Sequence, residues 1–220
     1  MSVALSTAKD SVSAYVFMGG TFDPVHKGHI RGARHVSALF DVTPIHLLPA
    51  KVPVHKSAPS TTNVQRINML KIALAQEPDL KLDLREINST GASYTIETLK
   101  QLRTEIGATR PLIMVIGMDS FVTLPSWSEF EQFLSLCHIV VLQRPQYCLE
   151  YSERHKKLLM ERVDNASALL KSTAGHLYFF EQPTTDVSAS DIRRDIKNRK
   201  HSDLLPQGVA DYIGQQCLYQ

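Results

Sequence analysis

Apolar and polar positions alternate along this chain with two periods. Residues 14–18 form a short apolar run that stops at Gly19-Gly20, the pattern of a strand buried on both faces. Residues 28–40 then have helical character, and a second strand is predicted at 45–48, ended by Pro49. Val64, Ile67, Leu70 and Leu74 recur at helical spacing and predict a helix over 63–76. Residues 80–84 alternate like a strand, and Ile96, Leu99 and Leu102 share one face of a helix over 95–106. The most continuous strand pattern is 111–116. Ser126 followed by Glu129 has the form of a capping box and predicts a helix start. A strand at 138–142 stops before Pro145, a helix is predicted over 153–171, and a last strand at 177–180. Ser188 with Asp191 is a second capping-box pattern, leading a helix to Lys197, and 209–216 predicts a short terminal helix.

Strands alternating with helices imply a parallel sheet covered on both faces, so the expected fold class is α/β, doubly wound, with five to six strands. No repeat at a period of ~20–50 residues is present. No composition shift marks an internal linker, and a single domain over 14–220 is expected behind a loose Ser/Ala-rich tail, 1–13. In such sheets ligands bind beyond the carboxyl ends of the strands, near the point where strand order reverses. Chemistry is therefore expected in the loops after residues 18, 48, 116, 142 and 180.

Composition narrows the field. Of 220 residues, 43% are hydrophobic and 21% charged, which excludes disorder and coiled coil as descriptions of the whole. Lys and Arg number 24 against 22 Asp and Glu, and the net +2 is too small for a dedicated nucleic-acid binder. Phosphate recognition must then be local. No apolar run reaches the ~18 residues of a membrane span, and the N-terminus lacks the order of a signal peptide. The expectation is a cytoplasmic protein with no membrane partner. Cys137, Cys148 and Cys217, odd in number and widely spaced, read as free thiols. Nine histidines point to proton or phosphate work near neutral pH.

The first of the five loops reads Gly19-Gly20-Thr21-Phe22-Asp23-Pro24-Val25-His26-Lys27-Gly28-His29. Glycines let backbone N–H groups approach an anion, and a helix N-terminus adds unpaired N–H groups and partial positive charge. His26 and His29, three apart, share a face of a first helical turn and can donate to phosphate oxygens. Two histidines without a third ligand suit zinc poorly, and no metal site is expected. Neither a G-x-G-x-x-G nor a P-loop pattern is present. Asp119, just past the strongest strand, can accept from ribose hydroxyls or cap a helix. Trp127, the only tryptophan, offers a flat face to a planar ring or to the core. Thr95 sits at a helix start, where backbone N–H groups suit a carboxylate. Arg193 can grip phosphate bidentately, while the rest of the basic run to Lys200 reads as a solvated face. His55 and Lys56 lie in a loop that can close on phosphates or simply cover the surface.

Residues 19–29 resemble the G-G-T-F-D-P-x-H-x-G-H signature of bacterial nucleotidyltransferases, relatives of the class I aminoacyl-tRNA synthetases with their H-I-G-H motif. The resemblance is to the nicotinate-nucleotide adenylyltransferase branch, because phosphopantetheine adenylyltransferases carry Thr where this chain has His26. Four further segments resemble that branch in order. Val52-Pro53-Val54-His55-Lys56 is similar to P-P-H-K, with Val54 for the second proline. Ser93-Tyr94-Thr95 with Thr98-Leu99 is similar to S-Y-T-x-x-T-L. Gly117-Met118-Asp119-Ser120 with Pro125 and Trp127 resembles G-x-D-S-x-x-x-x-P-x-W, although Ser128 stands where relatives often place an aromatic. Residues 187–193 match I-S-S-T-x-I-R with Ala189 and Ser190 substituted.

The resemblance implies a Rossmann-like sheet and transfer of the adenylyl group of ATP to nicotinate mononucleotide. His26, His29 and Arg193 are then the catalytic set. Gly19, Gly20, Thr21, Phe22, Lys56, Gly117, Asp119, Ser190 and Arg193 would bind ATP. Asp23, His55, Tyr94, Thr95 and Trp127 would bind the mononucleotide. Mg²⁺ would arrive with ATP, the expected partners are these small molecules, and self-association into a homo-oligomer is left open. Three alternatives stay open at this level: a same-fold enzyme acting on nicotinamide mononucleotide, a non-catalytic nucleotide-binding protein, and an aminoacyl-tRNA synthetase fragment.

Overall fold

The computed structural model describes residues 13–51, 59–143, 151–181, 187–200 and 202–220. Among these, six parallel strands form one sheet: β1 (Tyr15–Gly20), β2 (Ile45–Pro49), β3 (Leu80–Leu82), β4 (Leu112–Gly117), β5 (His138–Gln143) and β6 (Leu177–Glu181). Their spatial order is β3-β2-β1-β4-β5-β6. The chain leaves β1 for β2 on one side and returns to β4 on the other. Strand order therefore reverses between β1 and β4, where a crevice opens beyond the strand ends.

The α-helices of the described residues are α1 (Lys27–Phe40), α2 (Asn63–Leu74), α3 (Arg85–Asn88), α4 (Thr95–Ile106), α5 (Met118–Thr123), α6 (Phe133–Leu136), α7 (Glu153–Leu159), α8 (Ala189–Lys197) and α9 (Gln207–Gln215). They divide between the two faces. Val16 and Met18 of β1 point into a core shared with Ala33 and Val36 of α1, Met69 and Leu70 of α2, Ile192 of α8 and Val209 of α9. Phe17, the residue between them, points into a second core with Leu99 of α4, Phe121 of α5, Phe133 of α6 and Leu158 of α7. A strand buried on both faces has no reason to alternate apolar with polar, and so 14–18, 111–116 and 138–142 read as continuous apolar runs. The doubly wound α/β class with five to six strands is the observed one.

Three expectations are corrected. Ser126 does not start a helix: it ends a 3-10 turn, Leu124–Ser126, and its hydroxyl donates back to the Thr123 carbonyl at 2.6 Å. Pro125 sits early in that turn, Trp127 beyond it is extended, and Glu129 adopts left-handed backbone, so no capping box can close. The helix predicted over 153–171 stops at Leu159. The chain instead runs along the edge of β6, where the Leu177 N–H donates to the Glu161 carbonyl and the Val163 N–H to the Leu177 carbonyl, both at 2.9 Å. Pairing an open strand edge outweighs a further helical turn there. At Ser188 half a capping box forms. Its hydroxyl accepts from the Asp191 N–H at 3.1 Å, but the Asp191 carboxylate pairs with Arg194 instead.

Candidate active site

At the end of β1, Gly20 lies close under the Phe22 ring, and a Cβ there would sit 3.0–3.2 Å from it, tight enough that the ring would have to shift. Phe22 takes left-handed backbone, φ 50°, and buries its ring edge-on against His29, with centroids 4.9 Å apart. The chain then enters α1 through a reciprocal cap made of two imidazoles. His26 Nδ1 accepts from the His29 N–H at 3.3 Å, and His29 Nδ1 accepts from the His26 N–H at 3.2 Å. The rings stack with centroids 3.7 Å apart and planes 21° from parallel. A neutral imidazole that accepts at Nδ1 carries its proton on Nε2. The cap therefore sets both rings in the tautomer whose Nε2–H is the donor. Gly28 leaves space for this, because a Cβ there would meet His26 Nδ1 at 3.0 Å.

Arg193 of α8 reaches the same loop. Its Nη1 donates to the Asp23 carbonyl at 2.6 Å and its Nη2 to the Ser190 hydroxyl at 3.2 Å. Asp23 itself is buried. Its carboxylate accepts from the Ser60 N–H at 2.7 Å, the Thr61 hydroxyl at 2.6 Å and the Tyr219 hydroxyl at 2.7 Å. Burial first, then the Asp23 carboxylate, holds the Tyr219 phenol far above its ordinary value. Asp23 is thus the knot that ties the loop to the start of α2 and to the chain's last residues.

A cleft opens at the reversal of strand order. Phe17, Leu48, Met114 and Ile116 make its apolar floor, and Gly19, Gly20 and Thr21 its margin toward the histidines. Tyr94, Thr95 and Trp127 line it on the other side. Tyr94 precedes α4 and gives it no side-chain cap, so the helix start presents backbone N–H groups at the cleft. Trp127 is held in place, its Nε1–H donating to the Thr123 hydroxyl at 3.3 Å and its ring packed against Phe133. Gly117 and Asp119 stand at the head of α5. A Cβ on Gly117 would lie 2.7 Å from Asp119 Oδ1, so a larger residue there would push the Asp119 carboxylate aside.

The sequence-derived residues therefore gather in two adjoining groups. Gly19, Gly20, Thr21, Tyr94, Thr95 and Trp127 line the cleft. His26, His29, Phe22, Ser190 and Arg193 cluster around the start of α1. His55 and Lys56 lie outside the described residues. Among the described residues, no three His, Cys, Asp or Glu side chains converge to hold a metal ion.

Comparison with known proteins bears on this arrangement. The cytidylyltransferase-like family matches residues 17–195. A "probable nicotinate-nucleotide adenylyltransferase" of Marinobacter nauticus is 41% identical over 207 residues, covering 93% of this chain and 96% of that one. The chain belongs to the nicotinate-nucleotide adenylyltransferase family. A second member, from Escherichia coli O139:H28, is 39% identical over 211 residues, with 94% and 99% of the two chains covered. The structure of Plasmodium falciparum nicotinic acid mononucleotide adenylyltransferase complexed with NaAD superposes with a TM-score of 0.71 over 94% of this chain and 97% of that one. Identity to it is 19%, so that likeness concerns the fold.

Two residues in or behind the cleft of this family member carried no signal at the level of sequence. Glu86 of α3 lines the cleft yet is buried, and burial raises its carboxyl above the usual range while the Thr98 hydroxyl, donating at 2.8 Å, opposes the shift. Arg66 of α2 is fully buried behind the loops. Both follow ordinary helical spacing, and only their contacts set them apart.

Proposed function

We infer that the protein transfers the adenylyl group of ATP to nicotinate mononucleotide, giving deamido-NAD and pyrophosphate. The observation that carries this reading is a cleft whose glycine turn leads on to the paired imidazoles and whose other side is the start of α4. The paired imidazoles and the glycine turn suit phosphate. The uncapped start of α4 beside Trp127 suits a planar ring bearing a carboxylate.

In this reading a phosphate oxygen of the mononucleotide attacks the α-phosphorus of ATP. The new P–O bond forms as the bond from the α-phosphorus to the bridging oxygen breaks, and pyrophosphate leaves with that electron pair. A phosphate dianion is already nucleophilic near neutral pH, so no general base is needed. Catalysis then consists of positioning and charge stabilisation. The Nε2–H groups of His26 and His29 donate to the α-phosphate. Arg193, with Lys56, neutralises the leaving pyrophosphate. Ser190, Gly117 and Asp119 contact ATP, and Thr95 and Trp127 the pyridine ring. Mg²⁺ comes bound to ATP phosphates and water, its usual mode of binding, and supplies charge neutralisation there. The free thiols Cys137 and Cys217 and the dependence on ATP support a cytoplasmic setting.

The direct test supplies ATP labelled at the α-phosphate, nicotinate mononucleotide and Mg²⁺. The expected result is label in a deamido-NAD product with one pyrophosphate per turnover. Label in free AMP alone, or no dinucleotide, contradicts the assignment.

A further inference from the structure

We infer that Arg66 is a positioning residue that sets the spacing between the two substrates, an inference that rests on the reaction assigned above. Arg66 is fully buried on α2. Its Nη1 donates to the Thr21 carbonyl at 2.7 Å, and its Nη2 donates to the Lys51 carbonyl at 2.9 Å and to Asn63 Oδ1 at 2.6 Å. Its Nε has no hydrogen-bond partner among the described residues. Its hydrogen bonds all go to neutral acceptors; burial opposes its charge more than the nearby Asp23 carboxylate supports it, and an apolar side chain of like volume can serve stability as well. What arginine adds is a rigid planar fork that fixes the angle between its acceptors.

Those acceptors belong to different walls of the cleft. Thr21 is in the turn that leads to the histidine cap. Lys51 follows β2, and its own N–H donates to the Ser93 hydroxyl at 3.2 Å, two residues before Thr95. The Lys51 ammonium is tied back to the Ser89 carbonyl. The Ser93 hydroxyl stands near enough to the Glu86 carboxylate to favour its charged form, and that carboxylate takes the Thr98 hydroxyl at 2.8 Å. A continuous run of polar contacts thus passes from Thr21 through Arg66, Lys51, Ser93 and Glu86 to Thr98 on α4. Thr21, Ser93 and Glu86 line the cleft, whereas Arg66 stands behind it. The run joins the phosphate end to the ring end, and so fixes how far the attacking oxygen stands from the α-phosphorus. Small errors in that distance are costly to an in-line reaction even when each substrate still binds.

The test uses Arg66→Lys, Ser93→Ala and the double variant. Turnover at saturation, the dissociation constant of each substrate alone and the melting temperature are measured on each. The expected result is a fall in turnover of about thirtyfold for Arg66→Lys, well below its melting temperature, with both dissociation constants within about threefold of wild type. Ser93→Ala falls less, and the double variant falls no further than Arg66→Lys, because both act through Lys51. If Arg66→Lys does not fold, Ser93→Ala alone decides the matter by the same split. Turnover within about twofold of wild type in the folded variants, or a loss matched by equal loss of substrate binding, overturns the inference. Wild-type enzyme in the same assay separates the two claims. An inactive wild type overturns the assigned reaction, whereas an active wild type with unaffected variants overturns only the role of Arg66.

Discussion

His26 and His29 cap each other's backbone N–H through Nδ1, so the same two bonds that start α1 also orient two Nε2–H donors. Helix capping uses Nδ1 of each ring and the proposed anion recognition uses Nε2, so substitution can separate the two. In His26→Asn the amide is itself a favoured N-cap, so stability is expected to stay within about 1 kcal/mol of wild type. The donor is lost, and turnover is expected to fall about a hundredfold, the scale of one oxyanion-type contact. Chemical denaturation and steady-state rates on the same preparation check both halves. Loss of stability without loss of turnover per folded molecule contradicts the role of His26.

Trp127 is fixed from behind by Thr123 and Phe133 and faces the cleft. For Trp127→Ala the KM for nicotinate mononucleotide is expected to rise on the order of tenfold, the worth of one aromatic stack, with that for ATP nearly unchanged. Initial-rate kinetics with each substrate varied in turn give the answer. Equal effects on both substrates assign Trp127 to packing alone.

Asp23 lies within the G-G-T-F-D-P signature, where sequence points to substrate. Its carboxylate accepts from Ser60, Thr61 and Tyr219, and we propose that it organises the loop. In Asp23→Asn one acceptor oxygen becomes an NH₂ facing other donors, at a cost of about 1–3 kcal/mol. The melting temperature is expected to drop while the KM for nicotinate mononucleotide moves by less than about threefold. Unchanged melting with a large rise in that KM returns Asp23 to direct substrate contact.

Much of the fold was legible because buried parallel strands and amphipathic helices leave period signals that survive without context. What failed had local causes that sequence does not carry. Ser126 and Glu129 have the right spacing for a capping box, but Pro125 and the extended Trp127 bend the chain away. Residues 161–163 read as helix because nothing in them announces a strand edge alongside. The site divides in the same way. The spacing of three between His26 and His29 placed them on one face, whereas their reciprocal cap, with His26 extended as the N-cap residue just before α1, was not legible in it. Arg66 and Glu86 act through carbonyls and hydroxyls far along the chain, and no spacing marks them.

His138 gives the protein a defined acid response. It is buried on β5, its Nε2 lies 3.0 Å from the Ser172 carbonyl, and its Nδ1 accepts from the His176 N–H. Burial pushes its pKa down to about 4, against roughly 6.5 for an unfolded histidine. Between those values the unfolded chain binds a proton that the folded chain refuses, so stability is lost as pH falls through that window. Melting temperatures from pH 7.5 to 4.5 are expected to fall less steeply for His138→Gln than for wild type. Parallel curves contradict the assignment.

The central claim is that one end of the cleft is built for a carboxylate-bearing ring. The most direct test compares rates of pyrophosphate release with nicotinate and nicotinamide mononucleotides, side by side, with ATP and Mg²⁺. The expected result is turnover with the acid and at least a tenfold lower kcat/KM with the amide, about 1.4 kcal/mol of discrimination. Equal rates with the two, or preference for the amide, contradict it.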